Sequence, residues 1–306
     1  MVTNAIPFDR RAPVQCKQPL KALPPNLLND IEASAAFVRQ HAIAAIYHAG
    51  SGHPGGALSC ADLLASLFGA ELNFWPDSVS DPHRDRFVLS KGHAAPALYA
   101  VGAQYGFCNK REALNLRKLN SPFQGHPHVL DMPWVETSTG SLGQGFSVAL
   151  GMAMGLKMHK SQARVYTLLG DGELQEGEVW EATMCAVHHK LDNLCAIIDY
   201  NKLQSDDRND NIMRLEPLAA KFRAFDWAVI EIDGHDILEI LSALRRASST
   251  HERPSLLIAH TVKGKGVPYM ENIPVRHGSV KLTRAQAEDA LTALGASPEQ
   301  ITEYLA

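Results

Sequence analysis

The segment Leu168–Gly177, LLGDGELQEG, ends an apolar run in Gly170-Asp171-Gly172 and follows it with Glu173 and Glu176. A carboxylate between glycines at the end of a buried strand has two uses. It closes a plain Asp-Gly turn, or it holds a cation where the main chain approaches a ligand closely. Asn201 favours the second use, because it lies just past the next apolar run, Leu194–Asp199. In an open parallel sheet ligands bind beyond the carboxyl ends of the strands, so Asp171 and Asn201 can meet at neighbouring tips. A carboxylate, an amide oxygen and a main-chain carbonyl are hard donors suited to Mg²⁺, which completes its shell with phosphate and water. Flanking glycines let main-chain N–H groups reach a diphosphate.

Five of the fourteen histidines stand beside glycine, four of them in motifs that suit a site. These four are His53 in Ser51–Gly56 (SGHPGG), His93 in Ser90–His93 (SKGH), His126 in Gly125–Pro127 (GHP) and His277 in Arg276-His277-Gly278. Imidazoles titrate near neutrality and can move protons to and from carbonyl and hydroxyl groups. His41, His48, His159, His188, His189 and His251 lack such a setting and read as surface or satisfied core residues. His235, in Asp233-Gly234-His235-Asp236, reads as a structural turn. Gly140–Gly145 (GSLGQG) opens a helix over Gly145–His159, whose free N–H groups suit a phosphate. A dinucleotide site fits poorly, since Arg164 stands where an acid is wanted about 20 residues on. Lys263-Gly264-Lys265-Gly266 lacks the upstream glycine of a P-loop.

The elements that must position these residues alternate. Arg164–Leu169, Leu194–Asp199, Ala228–Ile232 and Ser255–Ala259 read as buried strands, with Asp85–Ser90 as a further short one. Helical stretches around Glu178–Lys190, Pro217–Phe225 and Ile237–Ser248 separate them. This pattern predicts an α/β fold, a mostly parallel sheet with helices on both faces. Asn29–Ala49 is an amphipathic helix, and Ser59-Cys60-Ala61-Asp62 resembles a capping box opening a helix through Phe68. The Ala-, Met- and Gly-rich Gly145–His159 predicts a helix packed closely on all sides. The expected organisation is an irregular proline-rich arm (1–26), one α/β domain (27–280) and a helical tail (281–306) capped at Thr283.

With 306 residues, 45% of them apolar, the chain is long enough for a sizeable core. A net charge of -4 gives no general basic surface, so nucleic acid is not an expected partner. No run is long enough to span a bilayer. Five cysteines without a CxxC point to neither a disulfide framework nor a zinc cluster, and a reducing cytoplasm fits.

Gly170-Asp171-Gly172 followed by Asn201 resembles the thiamine diphosphate signature. GELQEGEVWEA at 172–182, with SGHPGG, SKGH, GHP and GSLGQG in that order, resembles the transketolase family over roughly Asn29 to Gly278. The resemblance implies the amino-terminal, diphosphate-binding domain, with thiamine diphosphate and Mg²⁺ as cofactors. It implies that Asp171, Asn201 and the Leu203 carbonyl hold the metal, while Gly140, Ser141, Leu142, Gly172, Asn201 and His93 line the cofactor. His53, His93 and His277 would face substrate, with His126 between cofactor and substrate. Glu176 would join a carboxylate link between the two active sites of the assembly; an acid stabilised by the helix dipole is the plainer alternative. His128 departs from the glutamate common after GHP.

The implied activity is transfer of a two-carbon ketol unit from a ketose to an aldose, free or phosphorylated, with pentose phosphates as the default substrates. In the family the glutamate that activates the cofactor ring lies in a second domain, and the chain ends at Ala306 before one could begin. A split enzyme is therefore expected, with a separate carboxy-terminal subunit in an α2β2 assembly; a piece of a longer enzyme is the alternative. Three other readings share the metal signature. SGHPGG with SKGH argues against a 2-oxo-acid dehydrogenase α subunit, and chain length against half of a deoxyxylulose-phosphate synthase. Retention of all four motif histidines argues against a non-catalytic paralogue.

Overall fold

Five apolar runs become one parallel sheet in the computed structural model, which describes residues 24, 26–205, 207–274 and 280–306. In chain order the strands are β1 (Arg86–Leu89), β2 (Val165–Gly170), β3 (Leu194–Tyr200), the short β4 (Leu203–Gln204) and β5 (Asp207–Arg208), β6 (Ala228–Asp233) and β7 (Ser255–His260). The sheet runs β1-β2-β3-β7-β6, every pairing parallel, while β4 and β5 form a separate antiparallel ribbon. Register places Gly170 level with Asp199, and Asp199 level with Ala259, so three strand tips end together.

Successive side chains of a strand point to opposite faces, and here they feed two cores. Tyr166, Leu168, Ile197 and Leu257 join one; Val165, Leu169, Ile198 and Ile258 join the other. The first is covered by α1 (Leu27–Ala49), α2 (Pro54–Ser59), α3 (Ala61–Ser66) and α4 (Ala95–Gln104). The second is covered mainly by α5 (Gln144–Met158) and α6 (Gly177–His188). Beyond these lie α7 (Asn209–Ile212), α8 (Leu218–Ala224), α9 (Ile237–Ser248), α10 (Arg284–Ala293) and α11 (Pro298–Tyr304). Phe222 of α8 packs in the second core, while Ile240 and Leu244 of α9 pack in the first. The predicted α/β architecture is observed, and the expected strands lie within a residue or so of those formed.

Three local expectations change. The capping box at Ser59–Asp62 does not form, because Ser59 Oγ donates to Asp199 Oδ2 (2.6 Å) and Asp62 accepts from Arg39. The helix stops at Ser66 and continues as a π-turn, Leu67–Glu71. Helix α5 is not enclosed on all sides: Gly145, Phe146, Ala149 and Ala153 are buried, but Val148 is 39% and Met158 80% exposed. Its composition marks a helix that admits close neighbours; one face meets none among the described residues. The tail is two helices, each opened by a capping box, Thr283 with Gln286 and Ser297 with Gln300. Leu282, Ala287, Leu291 and Leu305 belong to the first core, so packing draws no boundary at residue 281. Most of the proline-rich arm lies outside the described residues.

Candidate functional site

The tip of β2 bends into a short 3₁₀ turn, Gly172–Gln175, and that turn sends two buried carboxylates to different neighbours. Asp171 Oδ1 accepts from the Gly172 amide (2.8 Å) and Oδ2 from the amide of Lys202, in the turn after β3. The second bond joins the two strand tips. In the same turn, Asn201 Oδ1 accepts from the Leu203 amide (3.2 Å), leaving the Leu203 carbonyl to accept from Lys263 Nζ (2.7 Å). Asp171 and Asn201 are thus gathered at one place with Leu203 beside them, and a buried lysine has joined them. Burial raises the Asp171 pKa to about 6, with the Asp199 charge adding to it and Lys263 opposing. Burial also lowers Lys263 to about 8 against the pull of Asp171 and Asp199. Among the described residues no cluster of three or more His, Cys, Asp or Glu side chains is placed to hold a metal. The donor set here is instead one carboxylate and neutral oxygens.

Around this point three glycine-bearing loops interlock. Glu173 accepts from the amides of Gly143 (2.9 Å) and Gly170 (3.0 Å) and from Ser90 Oγ. A Cβ on Gly92 would lie 2.9 Å from the Gly140 nitrogen, and one on Gly145 2.7 Å from Ser90 Cα, so neither loop admits a side chain there. Gly143 caps α5 at φ 85. The amides of Gly140, Ser141 and Leu142 form no hydrogen bond to another described main-chain group, which leaves N–H groups for a ligand. Below the loops Lys91 pairs with Asp199, which also accepts from Ser59 and Thr261, and Lys91 Nζ donates to the Gly56 carbonyl (2.9 Å).

Three of the motif histidines, His53, His93 and His126, converge on the same mouth. The His53 and His93 rings lie 5.4 Å apart, and the His126 ring is 3.3 Å from where a Cβ on Gly140 would stand. Burial lowers His53 to about 4, helped by the charges of Arg117, His126 and Lys263; burial and Arg117 also lower His126. At neutral pH these rings are therefore neutral, able to accept a hydrogen bond or a proton rather than standing as resident acids. His277 lies outside the described residues. Glu176 is exposed at the N-cap of α6 and makes no side-chain capping bond. His235 is part of the scaffold, with Nδ1 2.7 Å from Asp62 and Nε2 accepting from the Val262 amide at 2.8 Å.

Three participants are missing from the sequence reading: Lys263, Arg117 and Glu173. Lys263 follows the tip of β7 and could have been found from that place alone. Arg117 reaches the site through a loop and donates to Ser51 Oγ at 2.8 Å, a contact with no sequence signal.

An α/β domain that offers one carboxylate, two neutral oxygens, unpaired loop amides and a lysine at three adjacent strand tips suits a cation-bound diphosphate group. Asp171 is the structural test of that fit: it is buried and has two amide partners, and its raised pKa marks a carboxylate short of positive charge. The sequence matches the family described as transketolase, thiamine diphosphate binding domain, over residues 31–304. It is 41% identical over 261 residues to an apulose-4-phosphate transketolase subunit of Phocaeicola vulgatus, covering 85% of this chain and 92% of that one. It is 40% identical over 265 residues to a 6-deoxy-6-sulfo-D-fructose transketolase subunit of a Clostridium species, covering 87% and 96%. The transketolase of Pichia stipitis in complex with sedoheptulose 7-phosphate superimposes with a TM-score of 0.83 at 30% identity, over 90% of this chain and 43% of that one. The chain belongs to the transketolase thiamine diphosphate-binding domain family and spans less than half of such full-length enzymes.

Proposed function

We propose that the chain is the cofactor-binding subunit of a two-subunit transketolase, which moves a two-carbon ketol unit between sugars or sugar phosphates. The observation that carries this reading is the Asp171–Lys202 bond, which joins two strand tips into one oxygen-rich site. Asp171, the Asn201 side-chain oxygen and the Leu203 carbonyl would hold Mg²⁺, with the Lys263 ammonium beside that carbonyl. The amides of Gly140–Leu142 take the diphosphate, with Gly172 and His93 lining its place. When bound, thiamine diphosphate supplies the nucleophilic carbon and the electron sink for cleavage between two sugar carbons. The neutral imidazoles of His53 and His126 orient the sugar hydroxyls and accept their protons, and His277 is proposed to join them.

The partner is a carboxy-terminal subunit carrying the ring-activating acid. Support comes from the two relatives named as subunits, of which the chain covers 92% and 96%. Exposed Val148 and Met158 on α5, Met184 on α6, and the loop residues Leu119 and Leu130 offer apolar surface for assembly into α2β2. Glu176, exposed where α6 starts, belongs to a carboxylate link between two sites of that assembly. The proposed compartment is the cytoplasm, in keeping with the free Cys60, Cys108, Cys185 and Cys195; no helix of the described residues is long and apolar enough to cross a membrane. Purifying the tagged chain with its native partner and assaying ketol transfer tests the proposal. The pair should turn over ketoses with thiamine diphosphate and Mg²⁺, and the single chain should not. Turnover by the single chain, or an inert pair across free and phosphorylated ketoses, would contradict it.

A further inference from the structure

Asp171 and Glu173 leave the same turn for different neighbours, and only Asp171 has a part in the function above. Glu173 is nevertheless as buried as Asp171, at 2% exposure. Its Oε1 accepts from Ser90 Oγ and the Gly143 amide, and its Oε2 from the Gly170 amide. These three donors belong to three segments far apart in sequence: SKGH, GSLGQG and the tip of β2. No other described side chain bonds to all three.

We propose that Glu173 is a positioning residue for the cofactor cradle, its carboxylate fixing the Gly140–Gly143 loop at a set distance from the strand tip that carries Asp171. This rests on the thiamine diphosphate reading. Two constraints on the loop point the same way. Gly143 holds a left-handed φ of 85 at the start of α5, open to glycine without strain, and this turns its N–H onto Glu173 Oε1. Close packing of Gly92 on Gly140 and of Gly145 on Ser90 keeps the loop near β1, but neither contact ties it to β2. Glu173 supplies that tie. The same short turn thus serves metal and diphosphate together, Asp171 through the ion and Glu173 through the loop.

An acceptor-only group is required. Glutamine has the same size, but its NH₂ must face at least one main-chain N–H at this position, since two of the three donors are amides that cannot rotate. Ser90→Ala, by contrast, removes one donor and leaves both amide bonds intact. The expected order of cofactor affinity is therefore wild type, then Ser90→Ala, then Glu173→Gln, then Glu173→Ala.

The test is calorimetric titration of thiamine diphosphate with excess Mg²⁺ into the cofactor-stripped two-subunit complex, alongside melting temperatures. Ser90→Ala should bind within about threefold of wild type, and Glu173→Gln about tenfold or more weaker, as expected when a buried charged acceptor is lost. At saturating cofactor, Glu173→Gln should keep its KM for ketose and most of its kcat. Leu291→Ala, in the core under α10, is the control: it should lower the melting temperature at least as far and leave cofactor affinity unchanged. If Glu173→Gln melts lower yet binds cofactor as wild type does, Glu173 only stabilises the fold and the proposal is overturned. If Glu173→Ala fails to assemble, Glu173→Gln decides. Wild type that binds no cofactor overturns the functional reading and this proposal with it.

Discussion

Two buried aspartates, one at the end of β3 and one just past the end of β2, live in opposite electrostatic circumstances. Burial pushes Asp199 up, but the Lys91 ammonium, Ser59 and Thr261 more than offset it and hold its pKa below the ordinary value. Burial pushes Asp171 up as well, and there the Asp199 charge adds to the shift, leaving it near 6 despite Lys263 and two amides. Both side chains are almost wholly enclosed, at 0% and 2% exposure. Burial therefore does not distinguish structure from function; the supply of positive charge does. Asp199 has its cation from within the chain, tying α2 to the sheet through Lys91 and Gly56. For Asp171 the Lys263 charge does not offset burial, and the Mg²⁺ proposed at this tip would do so.

The largest expected effect breaks the structural member of the pair. Asp199→Ala leaves Lys91 buried without a counter-charge, which should cost about 3–5 kcal/mol of stability. Thermal unfolding should then fall by on the order of 10 °C; a shift under a few degrees would show that Asp199 is not the scaffold carboxylate. Asp171→Ala should do the reverse. Its melting temperature should hold within about 3 °C, while cofactor affinity in Mg²⁺ falls at least about a hundredfold, equivalent to about 2.7 kcal/mol.

A third prediction removes the pH background against which the pair is compared. His41 is 2% exposed, its ring nitrogen lies 2.7 Å from the Lys110 carbonyl, and burial lowers its pKa from 6.5 to about 4. The unfolded chain takes up this proton first. Stability should fall as pH drops from about 6.5 towards 4, by about 2 kcal/mol at pH 5 from this group alone. Denaturant unfolding at pH 7 and 5 should show a shallower fall for His41→Gln; an equal fall would remove His41 from the account. The smallest effect comes from Gly143→Ala. Its φ of 85 disfavours a side chain, and a Cβ there would stand 3.1 Å from Glu176 Cβ. A cost of about 1–2 kcal/mol is expected, read as weaker cofactor binding rather than lost fold.

Much of this comparison is legible in the sequence. Strands buried on both faces read as unbroken apolar runs, so the tips that carry Asp171 and Asn201 can be located from hydropathy and glycine alone. What stays hidden depends on partners distant in sequence. Ser59 looks like a helix cap until Asp199, 140 positions away, takes its hydroxyl. Glu173 carries no sequence signal beyond its place after Gly172, and its role shows only when Gly143 and Ser90 fold over it. The composition of α5 shows that it tolerates close packing but not that Val148 and Met158 remain outside. His53 shows the same limit in electrostatic form: glycine beside it marks a site, yet only the surrounding charges and burial show that it is neutral.

The most direct test of the divalent-ion claim is one titration series. Thiamine diphosphate is added to the cofactor-stripped two-subunit complex in Mg²⁺, in excess chelator, and in Mg²⁺ with Asp171→Ala. Saturable binding in the first case and its loss in the other two is the predicted result. Equal affinity in all three would mean that the strand tips hold no ion and that Asp171 is a second scaffold carboxylate.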